Sequence, residues 1–267
     1  LTLEVTLSPF LNVRRLKLNC TSANAIWEFC KQNVTDRMKV ITRPHVAIMA
    51  GTKIGTGTFT EKDGVKVLTC AHVADCQPHA HYVDHGDSTE IQPGIWCADP
   101  GPAVDAAFAP IDAGQWSKIA STAQPVSMSR FAARHDPVPD ELLFFRGIAG
   151  ENVAYISGLG ADVILTGYCS QEIRQSGDAN VFEMFWEPGK TTVTQGTDHG
   201  VRDRVKHDDP AGFSGSLVWN TRFVESGCDL GKWSPNDAVV TGLLRRYDVD
   251  AGSLLAWRVE HVLKWLA

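Results

Sequence analysis

The sequence predicts an all-β architecture, a barrel or a sandwich, for most of its 267 residues. Three observations carry that expectation. From residue 45 onward, short apolar runs recur between clusters of Gly, Asp and Pro, which is the pattern of strands joined by turns. Those runs do not alternate with long helical periods, so βαβ units and a parallel sheet are not indicated. Lys62-Asp63-Gly64 separates two of the runs, and Asp-Gly accepts the positive φ that a tight hairpin turn needs.

Taken in order, residues 1–20 read as one or two strands, because Leu1, Leu3, Val5 and Leu7 alternate with polar neighbours. They lack a basic start followed by an apolar core, so a signal peptide is not expected. Residues 22–38 read as a helix. Thr21 or Ser22 can cap it, and Ile26, Phe29, Cys30 and Val34 fall near helical spacing before Pro44 breaks the pattern. Residues 1–44 therefore form an N-terminal extension. The strand runs are 45–49, 55–60, 65–69, 106–111, 142–148, 154–156, 162–166, 182–186, 191–194, 216–219 and 238–244. Between them, 123–140 is richer in Pro, Ser, Arg and Asp without a period, and reads as a linker between two halves. Over 253–267, Leu254, Leu255, Val259, Val262, Leu263 and Leu266 form an apolar stripe, with Arg258, Glu260 and Lys264 between them. That pattern predicts an amphipathic terminal helix.

Composition excludes several function classes. Hydrophobic residues make up 43% and charged residues 21%, a globular balance and not that of a disordered chain. The formal charge of −6 argues against nucleic acid as the main partner, because phosphate contacts need clustered Lys and Arg. No apolar run approaches the ~20 residues that span a bilayer, so no membrane partner is expected. The seven cysteines are odd in number and loosely spaced, which points to reduced thiols in a cytoplasmic protein and not to a disulfide framework.

Three segments could combine into a nucleophilic site. Asp208-Asp209-Pro210-Ala211-Gly212-Phe213-Ser214-Gly215-Ser216 places a serine among small residues just before an apolar strand. A serine hydroxyl is a weak nucleophile and needs a base to take its proton. It also needs backbone N–H groups aimed at the oxyanion, and the conformational freedom of Gly212 lets its own N–H and that of Ser214 converge. In Val67-Leu68-Thr69-Cys70-Ala71-His72-Val73 a strand runs into a histidine. In Val104-Asp105-Ala106-Ala107-Phe108 an aspartate opens a strand. Each alone reads equally as a turn, a core histidine or a loop acid. Together they stand in the order His72, Asp105, Ser214 at strand ends, which is the triad order of chymotrypsin barrels and not that of α/β-hydrolases or subtilisins.

With those motifs in place, the chain resembles the chymotrypsin/trypsin-like serine proteases, in particular their bacterial branch. The resemblance rests on Gly55-Thr56-Gly57-Thr58-Phe59, Thr69-Cys70-Ala71-His72-Val73, Asp105-Ala106-Ala107-Phe108 and Gly212-Phe213-Ser214-Gly215-Ser216, and covers residues 45–267. It implies two six-stranded antiparallel β-barrels, about 45–125 and about 141–252, followed by the terminal helix 253–267. It implies a serine endopeptidase acting on a protein or peptide substrate without metal or organic cofactor. His72 would be the base, Asp105 its orienting carboxylate and Ser214 the nucleophile, with Gly212 and Ser214 donating to the oxyanion. Asp208 reads either as a specificity-pocket carboxylate favouring basic residues before the cut or as an ordinary loop acid. The pocket wall would come from Thr241-Gly242-Leu243-Leu244-Arg245, with Thr241, Gly242 and Leu243 binding substrate; an inward-pointing Arg245 would pair with Asp208 or favour acidic substrates instead.

Two departures from the family stand out. The carboxylate that digestive trypsins carry before the serine is replaced by Phe213, and the usual cystine beside the histidine is missing. These predict that the familiar activation switch is absent and that activity is constitutive or set by an activating partner or neighbouring domain. A separate cluster of Cys76, His79, His81 and His85, with Cys97 further on, matches no common zinc spacing well. It leaves open a second reading, a latent protease-fold binding module with a metal-binding loop over 76–97.

Overall fold

A computed structural model describes residues 23–42, 45–50, 53–75, 80–83, 89–98, 104–120, 123–150, 154–156, 160–162, 165–173, 178–187, 192–195 and 209–266. The expected strands of 1–20 lie outside these residues.

Helix α1 (Ala23–Met38) comes first, close to its expected bounds. The strands of the first sheet follow. They are β1 (His45–Ala50), β2 (Lys53–Glu61), β3 (Val65–Thr69), β4 (Ala80–Val83), β5 (Thr89–Ile91), β6 (Cys97–Ala98), β7 (Ala107–Pro110) and β8 (Val126–Ser127). Short helices α2 (Ala71–Ala74) and α3 (Ala113–Ser117) sit among them. Their order is β5-β4-β1-β2-β3-β7-β6, with β8 pairing parallel to β2. The β2–β3 hairpin turns where Asp63 and Gly64 take φ of 52° and 104°, as the dipeptide predicts.

The second set comprises β9 (Leu143–Ile148), β10 (Ala154–Ile156), β11 (Gly160–Asp162), β12 (Leu165–Ser170), β13 (Glu172–Ile173), β14 (Val181–Phe185), β15 (Thr192–Gln195), β16 (Leu217–Asn220), β17 (Val239–Asp248) and β18 (Ser253–Arg258). β10 and β11 form their own hairpin, and the other eight run in the order β13-β14-β18-β17-β16-β9-β12-β15. The protein is thus mostly β, in two large sheets of eight strands each among the described residues. The expectation was six strands per half. The excess comes from strands of two or three residues, such as β6, β8 and β13, which are too short for alternation to reveal.

One boundary differs from the sequence reading. The terminal helix α4 (Val259–Leu266) is eight residues long, and 253–258 is β18, pairing with both β14 and β17. Leu254, Leu255, Ala256 and Trp257 are all buried, so this inner strand reads as a continuous apolar run that periodicity cannot separate from a helix. Helix α1 also does more than extend the chain. Val34 and Met38 are fully buried in the main apolar cluster, the Arg37 guanidinium donates to the Leu230 carbonyl at 2.7 Å, and Arg146 in β9 donates to the Thr42 carbonyl behind the helix. No helix among the described residues is long and apolar enough to cross a membrane.

Candidate active site

Antiparallel pairing of β3 with β7 sets Thr69 opposite Ala107. That register brings the residues just after β3 beside those just before β7. Cys70 starts helix α2, His72 lies in its first turn, and Asp105 reaches across. The Asp105 carboxylate is held from both sides of one residue: Oδ1 accepts the His72 backbone N–H at 2.9 Å, and Oδ2 lies 2.6 Å from His72 Nδ1. The Nδ1–H tautomer satisfies this contact and leaves Nε2 as a proton acceptor. The histidine ring stays 49% exposed while the aspartate side chain is 19% exposed, so the imidazole faces the surface and the carboxylate backs it. Burial works to raise the Asp105 pKa, but the two His72 hydrogen bonds and the charges of His72 and Arg245 outweigh it and hold the carboxyl below its ordinary value.

Ser214 comes from the other sheet, in the turn that leads into β16. Thr56 of β2 fastens that turn to the first sheet. Its N–H donates to the Ser214 carbonyl at 2.8 Å, its hydroxyl donates to the Gly212 carbonyl at 2.8 Å, and the same hydroxyl accepts from the Ile148 N–H at 3.0 Å. The Thr69 hydroxyl then donates to the Thr56 carbonyl at 2.8 Å, which ties the end of β3 into the same joint. Gly212 has φ +107° and Gly215 φ +93°. A Cβ on Gly215 would lie 1.9 Å from the Thr56 carbonyl oxygen, so only glycine lets the serine turn lie this close to β2. Among the described residues, the N–H groups of Gly212 and Ser214 donate to no other group of the chain.

Two residues of β17 connect all three candidates. The Leu244 carbonyl accepts from the Gly215 N–H at 2.8 Å and from the Cys70 thiol at 3.2 Å. The Arg245 carbonyl accepts from the Ser214 hydroxyl at 2.7 Å, and Arg245 Nε lies 3.8 Å from Asp105 Oδ2. Ser214 and Asp105 therefore both meet Arg245, the first through a hydrogen bond to its carbonyl and the second through an ion pair with its side chain.

The structure does not bring every expected residue to this place. Thr241, Gly242 and Leu243 lie further along β17, opposite 217–219, and are buried. The Thr241 hydroxyl contacts His135 Nδ1 at 2.7 Å, Leu243 is in the core, and Gly242 is packed under Phe182. The part of β17 beside Ser214 is Leu244–Arg245, the far end of the expected wall 241–245, because Leu217 and not Ser214 pairs with Leu243. Asp208 lies outside the described residues, as do Cys76, His79 and His85 of the suggested metal loop. His81 falls in β4, and Cys97 is exposed on β6.

A different donor set does converge. Ligand atoms of Cys70, His72 and Asp105 lie within 4.8 Å of one another. The Cys70 thiol is fully buried, and its pKa is pushed well above the ordinary value by burial first and by the Asp105 charge second. It therefore stands as a neutral hydrogen-bond donor, not as a thiolate ligand. Thr56, Cys70 and Arg245 are the site residues to which sequence reasoning gave no such role. The signal was present, since Thr56 and Cys70 sit inside the quoted motifs and Arg245 borders the expected wall.

No protein-family model matches the chain, and no curated protein does. Among solved structures, chymotrypsin-fold serine proteases match it at low identity. The serine protease domain of the Sesbania mosaic virus polyprotein is 14% identical with a TM-score of 0.44, over 84% of this chain and 91% of that one. The active form of the Rv3671c protease from M. tuberculosis is 17% identical with a TM-score of 0.45, over 98% and 93%. The MamO protease domain from Magnetospirillum magneticum is 11% identical with a TM-score of 0.44, over 88% and 98%.

Proposed function

We propose that the chain is a serine endopeptidase of the two-barrel chymotrypsin type, with His72, Asp105 and Ser214 as its triad. The observation that carries this reading is the 2.6 Å contact between His72 Nδ1 and Asp105 Oδ2, with Ser214 Oγ 2.7 Å from the carbonyl of Arg245, whose Nε lies 3.8 Å from that carboxylate. Ser214 Oγ attacks a peptide carbonyl while His72 Nε2 takes its proton. Asp105 fixes the tautomer and stabilises the imidazolium, and the N–H groups of Gly212 and Ser214 receive the oxyanion. The imidazolium then protonates the leaving amine, and water repeats the sequence on the acyl-enzyme. Each oxyanion donor is worth about 10²–10³ in rate, so the glycine-dependent backbone of 212–215 carries as much of the chemistry as the side chains.

A second reading, a latent protease-fold binding module, is favoured by one contact. The Ser214 hydroxyl donates its hydrogen to the Arg245 carbonyl and not to the imidazole. A serine-directed fluorophosphonate probe separates the two. The endopeptidase labels as wild type and fails to label as Ser214→Ala, and Asp105→Asn slows labelling by up to about 10⁴. A wild-type chain that is folded yet unlabelled across the neutral and alkaline range is the latent module.

A further inference from the structure

We propose that Arg245 is a positioning residue of this site, one that sets how strongly Asp105 supports His72 and where the Ser214 hydroxyl rests. The inference rests on the triad reading above. Its starting point is an interruption in a ladder. β17 and β18 pair antiparallel with Leu244 opposite Ala256 and Arg246 opposite Leu255, so Arg245 is the extra residue of a bulge. A bulge re-aims a side chain and breaks the local ladder, and such bulges gather beside active sites.

At Arg245 both consequences point into the site. The side chain turns to Asp105, with Nε 3.8 Å from Oδ2, the oxygen that His72 Nδ1 contacts at 2.6 Å. The Trp257 ring holds the guanidinium from another side, 4.7 Å from its centroid. The carbonyl accepts the Ser214 hydroxyl at 2.7 Å. One residue therefore touches the carboxylate with its side chain and the nucleophile with its main chain.

The charge arrangement gives this a direction. The described groups that face the His72–Asp105 pair are the neutral Cys70 thiol, on the residue before α2, and the Arg245 guanidinium from β17. A cation that shares Oδ2 cancels part of the field that would stabilise an imidazolium there. Arg245 thus weakens the support Asp105 gives to protonated His72. With its side chain pinned between Asp105 and Trp257, it also fixes the carbonyl on which the hydroxyl rests. Before attack that hydroxyl has to rotate from the carbonyl to the imidazole.

The test uses the full chain as wild type, Arg245→Gln and Arg245→Lys. NMR of ¹³C-labelled histidine follows the His72 titration directly, and fluorophosphonate labelling against pH follows the acid limb of reactivity. Loss of the cation in Arg245→Gln moves both midpoints up by roughly half a unit to one unit, while Arg245→Lys, which keeps the charge, stays near wild type. If Arg245→Gln does not fold by thermal melt, Arg245→Met keeps the stem over Trp257 and replaces it. An unchanged His72 midpoint in the neutral variant overturns the inference, as does an equal shift in Arg245→Lys, which would mark packing and not charge. A midpoint that moves in a chain that never labels leaves the inference standing and removes the endopeptidase reading.

Discussion

Replacing Gly215 by alanine tests the joint between the sheets, because a matched control isolates the clash from the backbone strain. Gly215 has φ +93°, and an added Cβ would sit 1.9 Å from the Thr56 carbonyl oxygen and 2.3 Å from the Thr69 hydroxyl. Gly227 has φ +85°, and a Cβ there would meet nothing within 4 Å. Each alanine suffers the left-handed penalty of about 1–2 kcal/mol. A more restricted unfolded chain returns about 0.4–1 kcal/mol, so Gly227→Ala should cost about 1 kcal/mol or less. Gly215→Ala adds overpacking of about 1–3 kcal/mol against a backbone oxygen that cannot swing aside. It also loosens the bonds from Thr69 to Thr56 and from Thr56 to Ser214, at about 1 kcal/mol each. The expected total is about 4 kcal/mol. At about 2–4 °C per kcal/mol for chains of about this length, Gly215→Ala should melt roughly 10 °C lower and Gly227→Ala only about 2 °C lower. Calorimetry of the two variants reads this, and probe labelling should be lost in the first alone. Equal melting temperatures would refute the claim that close backbone approach at residue 215 holds the site together.

Three further outcomes are expected. Asp105 has a depressed carboxyl pKa in the folded chain, so its contribution to stability is present above the unfolded value of about 3.9 and is lost as pH falls through the folded value; the urea-unfolding gap between wild type and Asp105→Asn should close in the acid range, and a gap independent of pH there would contradict this. Thiol reagents read by mass spectrometry should modify exposed Cys97 and Cys228 in the native chain but leave buried Cys70 and Cys169 untouched until unfolding, the Cys169 thiol being pushed up to about 12, chiefly by burial. Met38→Ala should cost about 2–5 kcal/mol in denaturant unfolding, because its side chain is fully buried in the core, whereas a loosely attached N-terminal helix would give a value near zero.

What the sequence disclosed follows the range of the interaction involved. The Asp63–Gly64 hairpin and helix α1 were legible because a local preference decides each. The contact of His72 with Asp105 was legible because chemistry restricts which residues can share a site. Which end of 241–245 lies beside Ser214 was not, since that needs the register of β16 on β17, and a shift of a few residues in that register leaves no trace in composition. β18 was hidden for a related reason: a strand buried on both faces loses the alternation that would announce it. The burial of Thr241 against His135, itself stacked on Phe182 at 3.8 Å, depends on three segments meeting, and no one of them signals it.

The site is also where the two sheets are joined, and this bears on how its activity should respond to stress. His72 and Asp105 are aligned within the first sheet by the β3–β7 register, whereas Ser214 and the amides proposed for the oxyanion are set by Thr56 across the joint. The His72–Asp105 pair can therefore outlast a loosening of the two sheets, but the nucleophile cannot keep its alignment through one. Thr56 is fully buried and uses its N–H and hydroxyl across the joint while its carbonyl holds Thr69 of its own sheet. Under mild denaturant, probe labelling at Ser214 should fall before the His72 Nδ1–H signal held by Asp105 is lost, because the first reports docking of the sheets and the second a contact within a single sheet. Simultaneous loss of both signals would mean that the sheets unfold as one unit and that Thr56 is no more than another buried residue.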